Sequence, residues 1–135
     1  MTAGSDVTST GAGSPASRAL VVKCTAGADE PERCAQAFTV AATAAVAGVA
    51  VSLWLTGDAA WFGTPGRAES FELPHSAPLA DLRDTVLALG TLTVCTQCAQ
   101  RRGIGEADLI AGARIAGSAS FVDEIMRPAV QALVY

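Results

Sequence analysis

Short, continuous apolar runs alternate along this chain with segments whose apolar residues recur at helical spacing. Arg18 to Cys24 (RALVVKC) is β-branched and apolar and predicts a first strand ending at Cys24. After the loop Thr25 to Ala28, Asp29 stands three residues before Glu32, with Pro31 between them, which predicts a capped helix start. Cys34, Ala37, Phe38, Ala41, Ala42 and Ala45 then repeat at helical period, and Gly48 ends the helix. Val49 to Leu55 is apolar without alternation, as a strand covered on both faces should be. Thr56-Gly57-Asp58 turns the chain, and Ala59 to Phe62 opens a short helix.

Gly63 to Ser70 reads as a loop, and Phe71 to Leu73 as a minor strand or part of that loop. Pro78 opens a second long helix, with Leu79, Leu82, Val86 and Leu89 inward and Asp81, Arg83 and Asp84 outward, and Gly90 closes it. Leu92 to Val94 is a strand that delivers Cys95 to its carboxyl end. Glu106 to Ala111 predicts a short helix and Ala113 to Ala116 a strand. Ser118 or Ser120 caps a further helix, which Pro128 stops, and Val130 to Tyr135 (VQALVY) closes as an apolar strand. Strand and helix alternating in this way predict an α/β fold. It is a three-layer α/β/α sandwich around a mostly parallel sheet of about five strands. The order of those strands is not readable from the pattern.

Composition narrows the picture. At 135 residues the chain forms one domain, expected over 18–135, after a Gly/Ser/Thr-rich stretch over 1–17 that reads as a disordered tail. That stretch has no apolar run and is not expected to act as a secretory signal. Aromatic residues make up only 5% of the chain, so Ala, Val and Leu must build most of the core. The net charge of −4, with Arg101-Arg102 the one basic pair, argues against a nucleic-acid partner or an anionic membrane surface. The apolar region 35–55 is long enough to raise a membrane span, but Gln36, Thr39, Thr43, Ser52 and the dividing Gly48 favour a helix followed by a strand. Four cysteines without an export signal point to a reducing, cytoplasmic setting.

In a parallel sheet the carboxyl ends of the strands share one edge, where ligands and chemistry collect. Cys24, the turn containing Asp58, Cys95 and the Gly117-Ser118 turn all fall there. Cys95 is the lead candidate. A thiol at the start of a helix ionises more readily than a free one, and Arg101 or Arg102 could add to this, although an arginine in a last turn commonly complements the helix dipole alone. A small buried hydrophobe is the competing reading. With Cys98, one helical turn on, the pair forms a C-x-x-C compatible with a redox dithiol, half of a zinc site, or a sulfur relay in which Cys98 supports Cys95. Cys34 lies on the apolar helix face and reads as core, and His75 as a solvated loop residue. Neither G-x-G-x-x-G nor a Walker-type loop occurs, so no nucleotide cofactor is indicated.

Val94-Cys95-x-x-Cys98-x-x-Arg101-Arg102-Gly103-Ile104, followed by Ala113-Arg114-Ile115-Ala116-Gly117, resembles the DsrE/DsrF-like (YchN-like) family, and the likeness extends over Arg18 to Tyr135. It implies a small α/β/α sandwich assembling as homotrimers or homohexamers. It also implies, at the position of Cys95, a cysteine that in some members carries sulfane sulfur as a persulfide between donor and acceptor proteins. Cys98 matches a cysteine present in some members. The resemblance brings no cofactor and no metal. The rival expectations are a non-catalytic, oligomeric small-ligand or assembly module, with Cys24, Asp58, Arg101 and Arg102 lining an edge pocket, and a redox or zinc C-x-x-C protein.

Overall fold

A computed structural model describes residues 18–135, so the tail expected over 1–17 lies outside the described residues. Five strands form one parallel sheet: β1 (Ala19–Cys24), β2 (Ala50–Leu55), β3 (Thr91–Cys95), β4 (Ala113–Ala116) and β5 (Val130–Val134), in the order β4-β3-β2-β1-β5. The helices are α1 (Pro31–Val46), α2 (Leu79–Leu89), α3 (Thr96–Arg101) and α4 (Ser118–Ile125), with 3-10 turns at Gly57–Gly63 and Glu106–Asp108.

The strand order explains where the helices lie. From β1 to β4 the chain steps in one direction across the sheet, and from β4 to β5 it returns past three strands. Right-handed crossovers therefore put α1 and α2 on one face and α4 on the other. Side-chain alternation agrees. Val22, Cys24, Val51, Leu53, Leu55, Leu92 and Val94 join Phe38, Ala41, Leu79 and Val86 in the core. The opposite face presents Lys23, Ser52, Trp54, Thr93 and Arg114 to α4. Alanines along α1 let the helix approach the sheet closely, and Phe38, Phe62 and Phe71 fill the remaining space in edge-to-face contacts of 6.0 and 5.6 Å.

Several local expectations are corrected. Asp29 does not cap α1: its carboxylate accepts the Gly27 N–H at 2.8 Å, and Glu30 holds the cap position. Of the two readings of Phe71 to Leu73 the loop holds, whereas the segment after Glu106 makes only a three-residue 3-10 turn in place of a helix to Ala111. Helix α4 starts at Ser118 with Gly117 at its cap, and no side-chain cap forms. On α2 two residues trade places. Leu89 is exposed, whereas Arg83 is buried because Glu69 from the preceding loop receives its guanidinium through two hydrogen bonds, of 2.7 and 3.2 Å, with Asp84 at 3.0 Å. Periodicity cannot register a partner supplied by a loop. No helix among the described residues is long and apolar enough to cross a membrane.

Candidate functional site

Cys95 ends β3 and occupies the cap position of α3, opposite Ala116 of β4. It is partly exposed, whereas Cys24, Cys34 and Cys98 are buried. Partial burial acts to raise the Cys95 pKa. The Cys98 N–H, the Cys98 thiol, the Gln97 N–H and the charge of Lys23 act the other way, and together they hold it below the ordinary thiol value. Cys95 stands at the cap position without a side-chain capping hydrogen bond, and the N–H groups of Gln97 and Cys98 favour its thiolate as the positive end of a helix start does.

Cys98 is fixed from the neighbouring turn. The Gly57 N–H donates to its Sγ at 3.1 Å. Gly57 adopts φ +54°, and a side chain there would stand 2.7 Å from the Thr25 carbonyl oxygen, so glycine is required for the turn to reach α3. Arg102 ties the same two elements together, donating to the Cys98 carbonyl at 3.1 Å and to Asp58 Oδ1 at 3.3 Å. Asp58 and Arg102 therefore brace the loop that carries the cysteines. Arg101, next to it, faces solvent.

Cys24 shares the carboxyl edge of the sheet but belongs to the other face. Its thiol donates to the Ala26 carbonyl at 3.1 Å. Its partner is Cys34: the hydrogen bond between the two thiols, reinforced by burial, pushes Cys34 well above its ordinary value. Both are packing thiols in this arrangement. A small cavity of about 180 Å³ on the same edge is lined by Asp58, Trp61, Phe62, Arg67 and Phe71 and by neither cysteine of the C-x-x-C. Among the described residues no three His, Cys, Asp or Glu side chains gather as a metal ion would require.

Two groups on the sheet face that carries Cys95 had no motif to announce them. Lys23 extends from β1 over the Phe121 ring, 5.0 Å from its centroid. Glu124, mostly buried on α4, accepts hydrogen bonds from Ser52 Oγ (2.6 Å), Trp54 Nε1 (3.1 Å) and Arg114 (2.6 Å). The one available signal was the alternation of polar residues, Lys23, Ser52 and Thr93, on a single face of otherwise apolar strands.

A parallel five-stranded sandwich with a cysteine capping the helix after its third strand defines a class of small thiol-bearing α/β proteins, and the comparisons make it specific. Residues 18–127 match the DsrE/DsrF-like family, and the chain belongs to it. The YchN protein of E. coli has a similar structure, with a TM-score of 0.73 at 16% identity over 87% of this chain and 99% of that one. A protein of unknown function from Methanobacterium thermoautotrophicum is similar at a TM-score of 0.65 and 10% identity, over 88% and 99% of the two chains. At these identities the structures speak for the fold. A comparison with curated proteins finds no match.

Proposed function

We propose that this protein accepts and donates sulfane sulfur at Cys95. The observation that carries the reading is the placement of Cys95: a partly exposed thiol, held toward its thiolate form by helix-start N–H groups and set beside a thiol that is buried. The Cys95 thiolate attacks the outer sulfur of a donor persulfide, R–S–SH. A bond forms between Cys95 Sγ and that sulfur, the donor's S–S bond breaks, and RS⁻ leaves, giving Cys95–S–SH. An acceptor thiolate then takes the outer sulfur in the same way and returns the Cys95 thiolate. No net oxidation occurs in either step. Cys98 supports the site through its N–H and its thiol, and Asp58 and Arg102 keep the loop in register.

The setting is a reducing cytoplasm, with donor and acceptor proteins as partners, and the chain works as a homotrimer or homohexamer. What supports assembly is exposed apolar surface: Val122 and Met126 around α4, and Leu133 and Val134 on the edge strand β5.

Intact-mass measurement tests the proposal. Reduced protein is incubated with a sulfane-sulfur donor, alongside Cys95→Ser and Cys98→Ser. Gain of one sulfur atom by wild type and Cys98→Ser, but not by Cys95→Ser, is the expected result. Absence of the adduct in wild type refutes the carrier reading, and loss of two hydrogens on mild oxidation, abolished in both variants, would establish a dithiol redox pair in its place.

A further inference from the structure

At the end of the sheet opposite Cys95, beside α4, lies a cleft of about 460 Å³. It is lined by the first residues of β1, β2 and β5, by Thr91 at the start of β3, and by Arg114, Glu124 and Arg127. Its volume is that of a small-molecule site, although ligands in open α/β sheets ordinarily gather at the carboxyl edge. The charges in the lining do not cancel. Glu124 is the one carboxylate among them, and Asp123, the partner of Arg127 at 2.7 Å, lies outside the lining. Two guanidinium groups and one carboxylate leave the cleft with one net positive charge.

Glu124 is already engaged. Its Oε1 accepts from Ser52 at 2.6 Å and from Trp54 at 3.1 Å, and its Oε2 from Arg114 at 2.6 Å. Arg114 is held at a second point, since its Nε donates to Thr93 Oγ1 at 2.8 Å, and its guanidinium lies 5.8 Å from the Trp54 ring centroid. Thr93 and Trp54 are both buried. These two bonds use the Nε–Nη2 edge of the guanidinium. Nη1 has no acceptor among the described residues, and the side chain is 48% exposed. Desolvation offsets much of what such an ion pair contributes to stability. What the network supplies is orientation: a planar fork fixed from beneath by sheet and helix, with its other edge left for an acceptor.

We propose that this cleft binds a small organic monoanion, a carboxylate on a short aliphatic body. The headgroup accepts from the free edge of Arg114, and the body lies against Leu20, Ala50 and Val130, the partly exposed apolar residues of the lining. A planar fork matches a planar carboxylate better than it matches a point charge. The single net charge of the lining suits one anionic group, and Glu124 opposes a second. Arg114 is the recognition residue, while Thr93 and Glu124 position it. The site is separate from Cys95 and does not depend on sulfur transfer there.

The test is an NMR titration of the full chain with hexanoate, following the backbone amides of Ser52, Arg114 and Arg127, with 1-hexanol and inorganic sulfate titrated in parallel. Saturable shifts at these amides are expected with hexanoate, and binding of the alcohol and of sulfate at least about tenfold weaker. Arg114→Lys keeps a charge opposite Glu124 but loses the fork, and should weaken hexanoate by about tenfold. Ala50→Phe fills the cleft without touching the polar network and should abolish the shifts, with circular dichroism confirming the fold. Should that variant prove unfolded, Ala19→Phe, from the same lining, serves under the same criteria. Absence of saturable shifts with hexanoate overturns the proposal. So does hexanol or sulfate binding as well as hexanoate, which would reduce the site to apolar contact or to general attraction of anions. Wild-type affinity in Arg114→Lys overturns the assignment of the fork. Shifts at these amides that follow protein concentration instead of hexanoate would overturn it too, by placing a second copy of the chain in the cleft.

Discussion

Replacing Glu124 by Ala should destabilise the fold by about 2–4 kcal/mol. The carboxylate serves three donors at once: Ser52 Oγ, Trp54 Nε1 and the Arg114 guanidinium. Trp54 is 1% exposed, so its indole N–H would be left buried and unpaired, at about 1–3 kcal/mol. Ser52, partly buried, adds a further loss of about 1 kcal/mol. Arg114 contributes less than its 2.6 Å contact suggests, because 48% of its side chain is exposed and water can take over its solvation, leaving about 1 kcal/mol or less. Glu124→Gln retains an acceptor for Ser52 and Trp54 and should lose about half as much. Urea titration followed by tryptophan fluorescence measures both.

A pH series sharpens the Glu124 test. Burial acts to raise the Glu124 pKa, but Ser52, Trp54 and Arg114 together lower it below 4.5. A group depressed in the folded state contributes stability that is fully present above its unfolded value and is lost as pH falls through the folded one. The gap between wild type and Glu124→Gln should therefore be constant near neutrality and close below about pH 4.5. A Glu124→Ala variant within about 0.5 kcal/mol of wild type would refute the reasoning, since surface substitutions lie in that range. A gap that stays open in acid would refute the electrostatic part alone.

Gly57→Ala should cost about 1–3 kcal/mol, because φ +54° and the approach to the Thr25 carbonyl both exclude a side chain. By displacing the N–H that holds Cys98 Sγ, it should also make Cys98 react faster with a small alkylating reagent, as peptide mapping would show. Cys24 and Cys34, fully buried and hydrogen-bonded to each other, should stay unmodified under native conditions in which Cys95 is alkylated, and become reactive only in denaturant. Native labelling of Cys34 at the rate of Cys95 would contradict its place in the core.

Much of this architecture was legible in the chain. Apolar runs at β1, β2 and β3, and the alanine-rich period of α1, report burial directly, because each must hide its apolar side, whereas the run at β5 marks an edge strand left largely exposed. The strand at Ala113–Ala116 and the cysteine after β3 were legible for the same reason. Arg83 and Leu89 were misread because period assigns a residue to a face without knowing what a distant loop brings to it. Cys24 and Cys95 looked like neighbours along one sheet edge, and alternation puts them on opposite faces. Lys23 and Glu124 carried no motif, since Phe121 lies 98 positions from Lys23, and Ser52 and Trp54 lie 72 and 70 from Glu124.

The sequence alone determined that this is an α/β chain of DsrE/DsrF-like type, with a thiol delivered to the end of its third strand. Local backbone preference and apolar period suffice for that, because both act over a few residues. Only the tertiary structure decided which thiol is exposed, which arginine braces the loop, and which carboxylate serves Ser52, Trp54 and Arg114. Those outcomes depend on the order β4-β3-β2-β1-β5, which sends α4 across the second face and sets Phe121 against Trp54 and Lys23. Charge and burial at the sulfur are sums over groups that meet only once the sheet has closed its order.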